Sequence, residues 1–301
     1  MTAKTSDPQE KKPGAPSWAT QPFKELVDRT ERLGQLLHLS MKGISMIRAV
    51  PKMIEAIAKA EGGEGEDRQE RMEMAEKEAE LARREVSEGF PVLHAHATIA
   101  LWSALDSSVR LFVVRWLQHY KPAMGVEIVQ KLRVRIGEYE RLEDEDRFFY
   151  ILDRLEQELS APLKNGITRF ESLLEPFGLA APVDESVRRN LFELNQVRNV
   201  LVHRSGVADR RLVEACPWLQ LKVGDPLHVR DEATRRYFTA VMQYTIALVA
   251  RVGERFGVNM DEFSSNGQAS DTTANERGAG DAEAHHPISH AQVSGAPDRG
   301  R

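Results

Sequence analysis

Over residues 92–119 the chain is apolar on nearly every side of a helix, with Leu93, Ile99, Leu101, Trp102, Leu105, Val109, Phe112, Val113, Trp116 and Leu117 spread around the turn. A helix without a polar face belongs inside a bundle, with other helices packed around it. Lys121-Pro122 stops it, because proline lacks the amide donor that the next turn needs. The flanking sequence is helical too. Leu26, Leu33, Leu36, Leu37 and Met41 fall near helical spacing across 23–50, and Pro51 marks a break. Helix resumes over 52–60 and ends at Gly62-Gly63-Glu64-Gly65. A highly charged helix follows over 66–88, with a solvated or partner-binding face.

Beyond Pro122, shorter helices are expected over 123–136, 146–159 and 170–177. Asp184 is the N-cap expected for a helix over 185–202, and Gly206 supplies the positive φ that closes it. Residues 218–223 and 227–229 alternate around Gly224-Asp225-Pro226 and predict a small β-hairpin. Asp231 caps a last helix with Tyr237, Phe238, Val241, Ile246, Val249 and Phe256 on its core face. The fold class is therefore all-α. Residues 89–258 make a helical bundle with a hairpin insertion, and 21–88 a helical N-terminal extension. Residues 1–20 and 259–301 are polar arms with too little apolar surface to offset the entropy of ordering them.

Composition narrows the function. With 41 basic against 46 acidic residues the formal net charge is −5, so any contact with a polyanion must be local rather than spread over the surface. The single cysteine, Cys216, excludes an intrachain disulfide framework and a cysteine-rich zinc module. Phosphate-binding glycine loops, dinucleotide fingerprints and nucleophile elbows are absent. His94 and His96 point to different faces of a helix and lack a Glu or Cys at ligand spacing, so neither a metal nor a cofactor is expected. His285, His286 and His290 read as part of a solvated tail. Residues 41–59 are mildly basic and amphipathic and are expected to pack on the bundle rather than on a membrane. The N-terminus lacks a signal-peptide core and no uninterrupted apolar run approaches bilayer length, so the expected location is cytoplasmic.

One helix end carries chemistry. Arg198-Asn199-Val200-Leu201-Val202-His203 joins a fixed cation to a proton carrier, with Asn195 one turn before Arg198 and Asn199 one turn before His203. Five helical residues turn through about 500°, which leaves Arg198 and His203 roughly 140° apart. Leu191, Leu194, Val197 and Leu201 form the opposite, apolar stripe. Two readings stand at this point. Either Arg198 and His203 gather on a phosphate, or Arg198 pairs with a core carboxylate and His203 caps the helix C-terminus.

Arg198-Asn199-x-x-x-His203, late in a helix packed against a long apolar one, resembles the signature of the HEPN superfamily of α-helical proteins; the matching stretch runs from about 88 to 256. The resemblance implies metal-independent RNA cleavage, in which the RNA's own 2′-hydroxyl attacks the adjacent phosphate. His203 would be the general base or acid. Arg198 would stabilise the phosphate charge, and Asn199 would orient the imidazole or touch the phosphate. Asn195 would support the pair. Asp106 would hold Arg198 or His203, or be an exposed acid. The resemblance further implies a homodimer with a composite cleft, and a setting in bacterial defence or growth control with a partner protein or antitoxin. Many HEPN-like proteins are non-catalytic dimerisation or partner-binding modules, which is the alternative.

Overall fold

The structure is a computed structural model that describes residues 15–61, 66–161 and 165–258. The chain divides into two units, 1–260 and 261–301. The second unit lies outside the described residues, and so do the expected arms beyond 15 and 258 and the histidines of the tail.

Among its described residues the first unit is all-α. Its helices are α1 (Ser17–Ile47), α2 (Val50–Glu61), α3 (Glu66–Glu88), α4 (Pro91–His119), α5 (Glu127–Gln130), α6 (Ile136–Tyr139), α7 (Asp144–Glu158), α8 (Ile167–Leu174), α9 (Glu185–His203), α10 (Arg210–Ala215) and α11 (Asp231–Arg255). As its composition requires, α4 is the central helix, in contact with α1, α7, α8, α9 and α11. By length and composition it is also the one helix among the described residues able to cross a membrane. Here its apolar sides are covered by protein: Leu101, Leu105, Val109, Phe112, Val113 and Trp116 are fully buried. Gly89 and Phe90 turn the chain into it with positive φ, and Pro91 starts it where a missing amide costs nothing.

The first half of α1 belongs to this core. Phe23 and Leu26 are fully buried, the Phe23 ring lies tilted 4.9 Å from that of Phe112, and Trp18 meets the edge of Trp116 at 5.7 Å. Residues 17–20, expected in the polar arm, are helical, with Trp18 packed against Trp116, His119 and Phe256, and the buried positions of α1 run from Ala19 to Thr30. Beyond it, residues 41–59 do not pack on the bundle as expected. Met46, Met53 and Ile57 are more than half exposed, and among the described side chains of α2 only Pro51 is buried.

The region expected to form a hairpin holds no strand. Pro217–Leu219 form a 3-10 turn and Gln220 takes a left-handed conformation. Residues 224–227 pair instead with 206–208: Ala208 N donates to Asp225 O at 2.9 Å, Gly224 N to Ala208 O at 2.9 Å and Leu227 N to Gly206 O at 2.7 Å. Pro226 has no amide to continue a ladder, so a single bridge to Val207 results. The Trp218 indole is drawn to α9, where its Nε1 donates to Glu193.

Candidate active site

The helix α9 is set in place from both ends. Asp184 caps it, accepting from Ser186 N at 2.8 Å and Val187 N at 3.4 Å. At the other end Gly206, at φ 75°, sends its amide back to Val200 O at 3.2 Å. Its middle is anchored by Glu193, which is 2% exposed. This carboxylate accepts from Tyr237 Oη at 2.7 Å, Trp218 Nε1 at 2.5 Å and Arg236 Nη2 at 3.1 Å. Burial and then the Glu193 charge hold the Tyr237 hydroxyl far above the ordinary tyrosine range. The same two causes push the buried Cys216 thiol up to about 12, which leaves it a packing residue rather than a nucleophile.

On its other side α9 lines a cleft of about 860 Å³. All five residues singled out from the sequence line it: Asn195, Arg198, Asn199, His203 and Asp106. At about 100° per residue, Asn195, Asn199 and His203 lie within roughly 80° of one another, flanked by Arg198 and Gln196. The cleft is wide enough for that whole arc, so one chain brings Arg198 and His203 to the same space without a second copy. The facing wall is a polar stripe on α4, Ser103, Asp106 and Ser107; Asn165 and Arg169 from the start of α8 and Arg204, Asp209 and Arg211 beyond α9 complete it.

The partners within the cleft differ from expectation. Asp106 holds neither Arg198 nor His203; its Oδ1 lies 3.2 Å from Arg169 Nη1. The reason is topological, since α8 packs beside α4 and presents Arg169 first. Arg169 also pairs with Glu156 (3.3 Å), which pairs in turn with Arg110 (2.6 Å), and Arg110 with Asp153 (2.7 Å). This chain of ion pairs ties α4, α7 and α8 into one floor. Asn195 is buried and its Oδ1 accepts from Gly166 N at 3.3 Å. It therefore supports the 165–166 turn rather than reaching a ligand. Gly166 is required there: at φ 57° a Cβ would stand 2.8 Å from the Phe192 Cα. Asn199 does not orient His203; its Oδ1 accepts from Arg198 Nη1 at 3.2 Å.

Arg198 itself is half-buried, its Nε is buried without a hydrogen-bond partner, and among the described residues it has no ion pair. The reading in which it pairs with a core carboxylate is not what the fold provides. His203, the last residue of α9, is exposed and makes no hydrogen bond among the described residues. Four arginines (Arg169, Arg198, Arg204, Arg211) against two aspartates (Asp106, Asp209) give the cleft a surplus of positive charge on a chain whose net charge is −5. Such a site attracts an anion. Among the described residues no group of three or more His, Cys, Asp or Glu could hold a metal. His94 is sealed in the core, with Nδ1 2.9 Å from Thr234 Oγ1, and burial lowers its pKa.

Sequence reasoning missed Arg169, Gln196 and Arg211. One available signal was the run Ser103, Asp106, Ser107 and Arg110, at helical spacing, on an otherwise apolar helix. A scan against protein-family models, a search of curated proteins and a search of solved structures return no match to this chain.

Proposed function

We propose that this chain is a metal-independent endoribonuclease of HEPN type. The observation that carries the reading is Arg198, a half-buried cation without a carboxylate partner, in an arginine-rich cleft that also receives His203. Leaving a guanidinium uncompensated in a partly desolvated site is unfavourable unless an anionic ligand completes it. In the proposed reaction the RNA 2′-oxygen forms a bond to the adjacent phosphorus and the bond from phosphorus to the 5′-oxygen breaks. The products are a 2′,3′-cyclic phosphate and a 5′-hydroxyl. His203 takes the proton from the 2′-hydroxyl or gives one to the departing 5′-oxygen. Arg198 donates to the non-bridging oxygens, where charge gathers.

A homodimer is part of the proposal. The imidazole of His203 is exposed and nothing described in its own chain orients it, so a second copy closing the cleft would supply that orientation and the second proton carrier. A setting in bacterial defence, with an antitoxin-like partner, follows from the resemblance, and the cytoplasmic location from the lack of a signal-peptide core in the sequence. The competing reading is a non-catalytic partner-binding module, favoured by the exposed Leu39, Met46, Met53 and Ile57.

Incubation with RNA in EDTA separates the two. The wild type is expected to yield 2′,3′-cyclic phosphate ends, and His203→Ala to be slower by about 10²–10⁴-fold. His203 is exposed, so the variant keeps the wild-type melting temperature. Cleavage that persists in the variant, or that requires added metal, sinks the mechanism. RNA or protein binding without cleavage supports the module.

A further inference from the structure

The groove continues past the Arg198–His203 cleft. A second hollow of about 620 Å³ shares Asn165, Arg204, Asp209 and Arg211 with it and extends toward Arg210. The two arginines shared by both hollows are treated differently. Arg204 is tied to Asp209 at 3.4 Å, and Asp209 is itself fixed by capping α10 through Leu212 N at 2.9 Å. Arg211 is exposed and has no ion pair among the described residues; its Nη2 donates to Asn165 Oδ1 at 3.0 Å. Glu214 also lines that part of the groove, and among the described residues it forms no ion pair with Arg210 or Arg211.

Arg211 thus repeats the arrangement of Arg198. Each guanidinium is held by a neighbouring asparagine carbonyl, Asn199 for Arg198 and Asn165 for Arg211. A neutral amide orients a guanidinium without cancelling its charge, whereas a carboxylate would do both. Two oriented, uncompensated guanidiniums along one continuous groove fit a ligand with anions at regular intervals. A nucleoside monophosphate would satisfy one of them and leave the other bare.

We propose that Arg211, oriented by Asn165, binds the phosphate next to the one held at Arg198 and His203, so that the ligand is an RNA chain with at least two consecutive phosphates. This rests on the endoribonuclease reading. The test uses the His203→Ala chain, in which RNA stays intact, with oligouridylates carrying one phosphate or two. The two-phosphate RNA is expected to bind more tightly. Adding Arg211→Gln is expected to weaken its binding by about tenfold, the weight of a charge-assisted hydrogen bond. It should also reduce the slope of log affinity against log salt by roughly 0.7, the value for one phosphate contact on a single strand.

If Arg211→Gln leaves affinity and salt slope unchanged while Arg198→Gln lowers both, the second subsite is wrong and the endoribonuclease reading stands. If neither substitution alters RNA binding, both proposals fail. An unchanged melting temperature for Arg211→Gln, expected of an exposed side chain, ties any loss to the groove itself.

Discussion

Glu193 and Arg198 sit five residues apart on α9 and are handled in opposite ways. Glu193 is sealed in the core, and three donors converge on its carboxylate, Trp218 and, from α11, Arg236 and Tyr237. Arg198 is half-buried, with one hydrogen bond to a neutral amide and a buried Nε that meets no acceptor. Arg154, outside the cleft, is also half-buried without an ion pair among the described residues and has a buried Nε that meets no acceptor, but it lies 4.8 Å over the Tyr150 ring and donates to Gln157. Other partly buried arginines follow Glu193: Arg110 pairs with Asp153 and Glu156, Arg169 with Asp106 and Glu156, and Arg251 with Glu171. A chain that supplies carboxylates to these cations and withholds one from Arg198 separates residues that hold the fold from one that awaits a ligand. An unpaired charge is tolerable in a cleft that an anion can enter, and costly in a sealed core.

The largest effect should come from breaking the satisfied member. Glu193→Ala strands a tyrosine hydroxyl, an indole and a guanidinium at once, and is expected to cost about 3–5 kcal/mol of stability in urea unfolding. A loss below about 1 kcal/mol would mean that Glu193 is no more structural than Arg198. Arg198→Gln is the converse experiment. RNA cleavage is expected to fall by about 10²–10³-fold, or roughly 2.7–4 kcal/mol of transition-state stabilisation. Stability should stay within about 0.5 kcal/mol or rise, because an uncompensated cation is removed. A fall of more than about 1 kcal/mol would place Arg198 with the residues that hold the fold.

The helical class was legible because α4 is apolar on nearly every side and the segments around it keep a helical period. The face of α9 was legible for the same kind of reason: a helical period sorts Leu191, Leu194 and Val197 away from Asn195, Asn199 and His203. The pairing of residues across elements was not. Nothing in local sequence says that α8 brings Arg169 to Asp106 before α9 can bring Arg198, since that order is set by packing. The hairpin expectation failed similarly. Alternation over 218–229 is a real pattern, but Trp218 gains more from Glu193 than from a cross-strand neighbour, and 224–227 found a partner in 206–208. The displaced start of α1 has the same cause: Trp18 lies in a polar stretch, and only the aromatic cluster around Trp116 and Phe256 gives it a reason to be ordered.

The smallest effect is also the one that extends the comparison to a third charge. Arg204 is compensated by Asp209, through an ion pair at 3.4 Å on a side chain that is 63% exposed. Asp209→Asn removes the charge yet keeps an N-cap, since asparagine caps helices as well as aspartate. The stability of α10 should therefore change by only a few tenths of a kcal/mol. Arg204 would then join Arg198 and Arg211 as a cation without a counter-ion, and RNA should bind more tightly. An exposed pair is worth about 0.2–1 kcal/mol, so the gain is at most about fivefold and fades with added salt. Titrating labelled RNA at low and high ionic strength reads it directly. Unchanged affinity at low salt would mean that the RNA path does not pass Arg204, and that uncompensated charge in this groove is not what selects the ligand.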